Sequence, residues 1–107
     1  NALSMRERRK LAYAGQVTVA MAVHGKKGEL VSGPDVRSMG VAEDRSFSLD
    51  EFLDALADEA ERAFDRLSNR DRRDVETAEE EVRRAVRREA NRIWGKKPWV
   101  EVIILEV

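Results

Sequence analysis

Apolar and polar residues alternate near both ends of this chain, and between those stretches they recur at spacings of three and four. Residues 16–24 set Val17, Val19, Met21 and Val23 against Gln16, Thr18, Ala20 and Ala22, the rhythm of a strand with one better-buried face. Gly25, Lys26, Lys27 and Gly28 form a short turn in which either glycine can take positive φ, and residues 29–32 return as the second arm of a hairpin. Gly33 and Pro34 interrupt that return. Residues 36–41 resume it as an irregular edge segment, because proline in a central strand costs a ladder bond. The final stretch, 98–107, reads PWVEVIILEV. Trp99, Ile103, Leu105 and Val107 fall on one side of the pleat, and Val100, Val102 and Ile104 on the other. With both rows largely apolar, this strand reads as interior to a sheet and as the one around which the chain is built. A carboxylate at Ile103 is then expected to unfold the domain.

The middle of the chain carries the helical period. Ser48-Leu49-Asp50-Glu51 has the form of a capping box, in which hydroxyl and carboxylate serve the orphan amides of a helix start. Leu49, Phe52, Leu53, Leu56, Ala60, Ala63, Phe64 and Leu67 then make one apolar stripe, while Asp54, Asp58, Glu61 and Asp65 face water. This predicts a helix to about Ser68, followed by a charged connector over 69–74. Thr77-Ala78-Glu79-Glu80 offers a second capping box, with Asp71 or Asp74 as earlier starts. Ala78, Val82, Ala85, Val86 and Ile93 form the narrower second stripe. Gly95 closes that helix and Pro98 prevents its restart. The predicted fold class is α+β. It has two layers: a three-stranded mixed sheet, element order β-β-α-α-β, with two helices packed on one face. The last strand should run parallel to the first, and the sheet face away from the helices is left without cover.

The chain's 107 residues suffice for one modest core and leave little room for a large enclosed active site. Twenty Lys and Arg nearly cancel 21 Asp and Glu, giving a net charge of -1. That balance conceals segregation. Residues 6–10 and 83–97 are basic, and 43–81 are acidic in excess, so the molecule should have opposite poles. There is no cysteine, which fits a reducing cytoplasm. No apolar run reaches the roughly 20 residues of a membrane span.

No catalytic pair or metal-ligand cluster can be assembled from the sequence. His24 is the sole histidine and stands at a strand end beside a turn, as a structural residue would. Asp35 beside Arg37 reads as a local ion pair or turn cap. The basic end of the second helix is more suggestive. Arg84, Arg87, Arg88 and Asn91 share a face, with Arg83 and Arg92 flanking and Lys96 and Lys97 following, an arrangement able to line several phosphates. A solvated face paired with Glu80, Glu81, Glu89 and the acidic first helix is the alternative. Val100, Val102 and Ile104 are the candidates for self-association across the uncovered sheet face, with the opposite row as alternates and Leu3, Leu11 and Tyr13 of the arm as a possible cover.

Taken together, these segments resemble the C-terminal domain of bacterial ribonuclease J. The resemblance runs from an Arg-rich lead (Arg6, Arg8, Arg9) through Gly15-Gln16-Val17-Thr18-Val19, a hairpin, Gly33-Pro34-Asp35-Val36 and Ser38-Met39-Gly40-Val41 to the entry Lys96-Lys97-Pro98 and the ending Leu105-Glu106-Val107. Met39 stands where the pattern usually has Arg. The resemblance implies a fragment of a metallo-β-lactamase/β-CASP ribonuclease, a 5′-to-3′ exonuclease and endonuclease of RNA decay and maturation. It implies zinc for the parent enzyme, bound by a His/Asp-rich motif absent here, and no cofactor for this fragment. Residues 1–14 would be a basic arm linking the catalytic body of the same chain to a domain over 15–107. That domain would be accessory and not itself catalytic. It would support homodimerisation and the placement of RNA, held weakly and without sequence preference through Arg84, Arg87, Arg88, Arg92, Lys96 and Lys97 together with Arg6, Arg8 and Arg9. The expected setting is cytoplasmic, with no membrane partner. The alternatives are an independent RNA-binding module using the basic face of the second helix and a small enzyme, the latter disfavoured by the missing His/Cys cluster.

Overall fold

The computed structural model describes residues 15–41 and 47–107; the arm, with Arg6, Arg8 and Arg9, lies outside them. Strands β1 (Gln16–His24) and β2 (Glu29–Met39) precede helices α1 (Leu49–Arg66), α2 (Asn69–Arg72) and α3 (Val75–Trp94), and β3 (Trp99–Glu106) ends the chain. The sheet order is β2-β1-β3, with β2 antiparallel and β3 parallel to β1. This is the expected two-layer α+β arrangement, with one correction. The strand with two partners is β1, and β3 lies at an edge. Both rows of β3 are apolar, yet only Val100, Val102 and Ile104 meet the helices, at 6%, 9% and 5% exposure. Trp99, Ile103 and Leu105 remain 37%, 38% and 61% exposed on the open face. Two apolar rows therefore did not require a central position, and Ile103 is not the buried site expected of it.

Val17, Val19, Met21 and Val23 of β1 anchor the core. Phe52, Leu56, Ala60 and Phe64 of α1 pack over it, beside Val82, Val86, Ala90 and Trp94 of α3. The small stripe residues Ala60, Ala78, Ala85 and Ala90 are almost wholly buried, as close helix packing requires. Phe47, Phe52 and Trp94 form an aromatic cluster with ring centroids 4.9–6.5 Å apart, geometry in which offset and edge-on contacts are favourable.

Local signals explain most of the element ends. Ser48 caps α1, its Oγ accepting from the Glu51 N–H at 3.1 Å. Helix α3 starts earlier than the Thr77 capping box, because Asp74 is its N-cap and accepts from the Thr77 N–H at 3.2 Å. Gly95, at φ 76°, ends α3 with its N–H donating to the Asn91 carbonyl, a conformation that favours glycine. In β2 the register shifts opposite Ala20 and Ala22. There Gly33, at φ +88°, brings its backbone so close to the Ala20 carbonyl that a Cβ would sit 2.7 Å from the oxygen.

The predicted connector contains a short helix with a defined task. The side-chain amide of Asn69 donates to the Lys27 carbonyl, and Arg72 Nε to the Gly28 carbonyl, each at 3.1 Å. Arg72 also donates to the carbonyls of Asp65 and Leu67. One guanidinium thus ties the β1–β2 turn to the end of α1. On the outer edge of β3, Glu79 Oε2 accepts from the Ile104 N–H at 3.0 Å. Trp99 and Val107 donate inward to the Gly15 and Val23 carbonyls, so the even-numbered residues of β3 turn their amides outward.

Candidate functional site

Two surfaces gather the chemistry, and both depend on where β3 meets α3. Along α3 glutamates stand three or four residues before arginines, a spacing that brings their side chains together. Arg83 grips Glu80 with two bonds at 2.7 and 2.8 Å, and Arg92 grips Glu89 with two at 2.7 Å. Arg84 approaches Glu80 at 3.6 Å and Glu81 at 3.9 Å. The hydrogen bonds from Arg83 and Arg92 hold the carboxyls of Glu80 and Glu89 below the usual carboxylate range and raise both guanidinium values. Lys96 lies over the Trp94 ring, 5.0 Å from its centroid.

Arg87 and Arg88 break the pattern. Residues 83 and 84, where their acidic partners would stand, are themselves arginines. No side-chain hydrogen bond or ion pair joins Arg87, Arg88 or Lys97 to another described residue. Arg83, Arg84, Arg87, Arg88, Asn91 and Lys97 line a hollow of about 310 Å³, with no carboxylate in its wall among the described residues. A second hollow of about 270 Å³ continues past Arg83, Arg87 and Lys97 to Pro98, Trp99 and Val100. Of the residues predicted to meet RNA, the fold gathers Arg84, Arg87, Arg88 and Lys97. It sends Arg92 to Glu89 and Lys96 to Trp94, outside the hollow. Arg83, predicted only as a flank, belongs inside it.

The second surface is the open face of the sheet. Val100, Val102 and Ile104, the residues singled out for self-association, are buried beneath α3 and cannot serve on it. The reason is the pleat: the helices take one row of β3 and leave the other. Strand register places Met39, Gln16 and Trp99 in one cross-sheet row, and Arg37, Thr18 and Glu101 in the next. Asp35, Ala20 and Ile103 follow, then Ser32, Ala22 and Leu105. Small residues on β1 thus form a floor between apolar β3 and the Asp35–Arg37 ion pair of β2, whose charges are 3.4 Å apart.

His24 accepts from the Lys27 N–H at 3.2 Å and serves the hairpin turn. Among the described residues no three or more His, Cys, Asp or Glu lie together so as to hold a metal ion. The zinc implied by the resemblance has no donor set in them. No helix among them is long and apolar enough to cross a membrane.

Residues 3–107 match the Ribonuclease J C-terminal domain family. The chain is also similar to Ribonuclease J of Sinorhizobium meliloti, 37% identical over 103 residues, an alignment covering 94% of this chain and 18% of that relative. The chain therefore spans under a fifth of the length of the curated relative it matches.

Proposed function

Because the chain belongs to the ribonuclease J C-terminal domain family, we propose that it serves a cytoplasmic ribonuclease J-like enzyme as an accessory domain. In this reading it cuts no RNA itself, is borne by a catalytic body in the same chain, supports self-association and helps to place RNA. One observation carries the self-association: Met39, Trp99, Ile103 and Leu105, four of the six exposed large hydrophobics among the described residues, share the open sheet face. Contiguous apolar patches on a protein surface mark interaction sites. A second copy is the fitting occupant. A twofold axis parallel to β1 lays β2 of one copy over β3 of the other, which sets Arg37 against Glu101 of the partner subunit and Met39 against Trp99 of the partner subunit. An RNA-binding module acting apart from any catalytic body is the second reading, favoured by the unpartnered Arg87, Arg88 and Lys97.

Sedimentation equilibrium tests the first reading. The chain is expected to be a dimer, and Leu105→Arg combined with Ile103→Asp a folded monomer. A wild-type monomer, with and without residues 1–10, would end the proposal. A monomer that dimerises only when those residues are removed would make the arm the cover instead.

A further inference from the structure

We infer that the hollow between α3 and the start of β3 is a binding site for the sugar-phosphate backbone of single-stranded RNA, seated on Arg87, Arg88 and Lys97. The choice of RNA as the polyanion rests on the ribonuclease reading above; the site itself rests on charge and geometry. Arg83, Arg84, Arg87 and Arg88 place like charges three and four residues apart on one helix, which opposes helix formation. Glutamates relieve that repulsion for Arg83 and Arg84 alone. Arg87, Arg88 and Lys97 converge on one wall without a carboxylate beside them among the described residues, so an incoming anion displaces no ion pair formed within those residues. Asn91 adds an amide to the same wall, a group that bonds phosphate or sugar oxygens equally well. Planar guanidinium forks suit phosphate oxygens. The hollow is open and elongated into its neighbour past Lys97, the shape for a strand and not for an enclosed small molecule. Cations dominate the wall, and the phosphates they meet carry no sequence information, so binding is expected to depend little on sequence. Glu80 limits the site, because its carboxylate holds Arg83 and draws on Arg84.

The test is fluorescence anisotropy of a labelled oligouridylate against the 107-residue chain over a range of salt concentrations. Three unneutralised cations predict a slope of log Kobs on log salt of about −2. Arg87→Glu with Arg88→Glu should weaken binding by about tenfold or more and flatten that slope. Glu80→Gln should tighten binding by releasing Arg83 and Arg84. Circular dichroism of each variant confirms the fold. Should the double charge reversal not fold, Arg88→Gln with Lys97→Gln, both on exposed residues, gives the same reading with a smaller loss. Absence of binding at low salt would overturn the inference, as would affinity unchanged by these substitutions. Preference for anionic vesicles over the oligonucleotide would overturn it as well. Sedimentation of the same samples separates the two proposals, since a monomer that binds RNA keeps this site while removing the sheet interface, and a dimer that ignores RNA does the reverse.

Discussion

Ile103 and Ile104 are neighbours in sequence and opposites in consequence. Ile104 points beneath α3 at 5% exposure, and Ile103 stands 38% exposed on the open face. Ile104→Asp buries a carboxylate without a partner, which costs several kcal/mol and approaches the whole stability of a small domain. Ile103→Asp should change stability by about 1 kcal/mol or less in the monomer. Urea denaturation of the two variants at low protein concentration checks this, and equal losses would contradict the edge placement of β3. The alternation of β3 was legible in its sequence; the choice of row was not, because both rows are apolar. A signal existed in the carboxylates. Glu101 breaks the outer row in its middle, whereas Glu106 ends the inner row, leaving Val100, Val102 and Ile104 uninterrupted.

Among the elements, α3 and the connector before it behave differently under test. The bonds from Arg83 and Arg92 depress Glu80 and Glu89, so their stabilisation is fully present above the ordinary glutamate value of about 4.3. It is lost as pH falls through the depressed values of the folded state. Both arginines are solvated, so the effect is modest. The melting temperature should fall on acidification below pH ~4, and the combined variant Glu80→Gln, Glu89→Gln should show a shallower fall. The connector offers a larger effect. Arg72→Ala removes charged donors from the Gly28, Asp65 and Leu67 carbonyls and should cost about 2 kcal/mol. Faster hydrogen exchange at the Gly28 amide, which closes the turn onto His24, would locate the loss. Helix stripes and caps were readable because they depend on neighbours three or four residues away. Arg72 was not readable, because its carbonyl partner at Gly28 is 44 residues distant and no periodicity marks such a bond. Ala90 and Trp94 were missed from the α3 stripe for a simpler reason, since the surrounding charges mask the two apolar positions.

On the scale of the whole molecule, a net charge of -1 coexists with an arginine-lined hollow and a sheet face that no described helix or strand covers, two surfaces of unlike character on a small body. If the face joins two copies, mass action stabilises the folded dimer, so the wild-type melting temperature should rise with protein concentration. The curve for Leu105→Arg should be independent of concentration. The open face could be foreseen from the count of layers, since two helices cover only one side of a sheet. Its composition needed the register. The outer rim of β3 has a further effect on how the molecule behaves at high concentration. An exposed strand edge is a template on which further strands can pile, and this one is short at both ends. Pro98, ahead of its first residue, has no amide to offer, and the Glu79 carboxylate already occupies the Ile104 amide. Val100 and Val102 are left as the outward donors between them, too brief a run to seed a growing ribbon. The rim of β3 is thereby a poor template for edge-to-edge polymerisation.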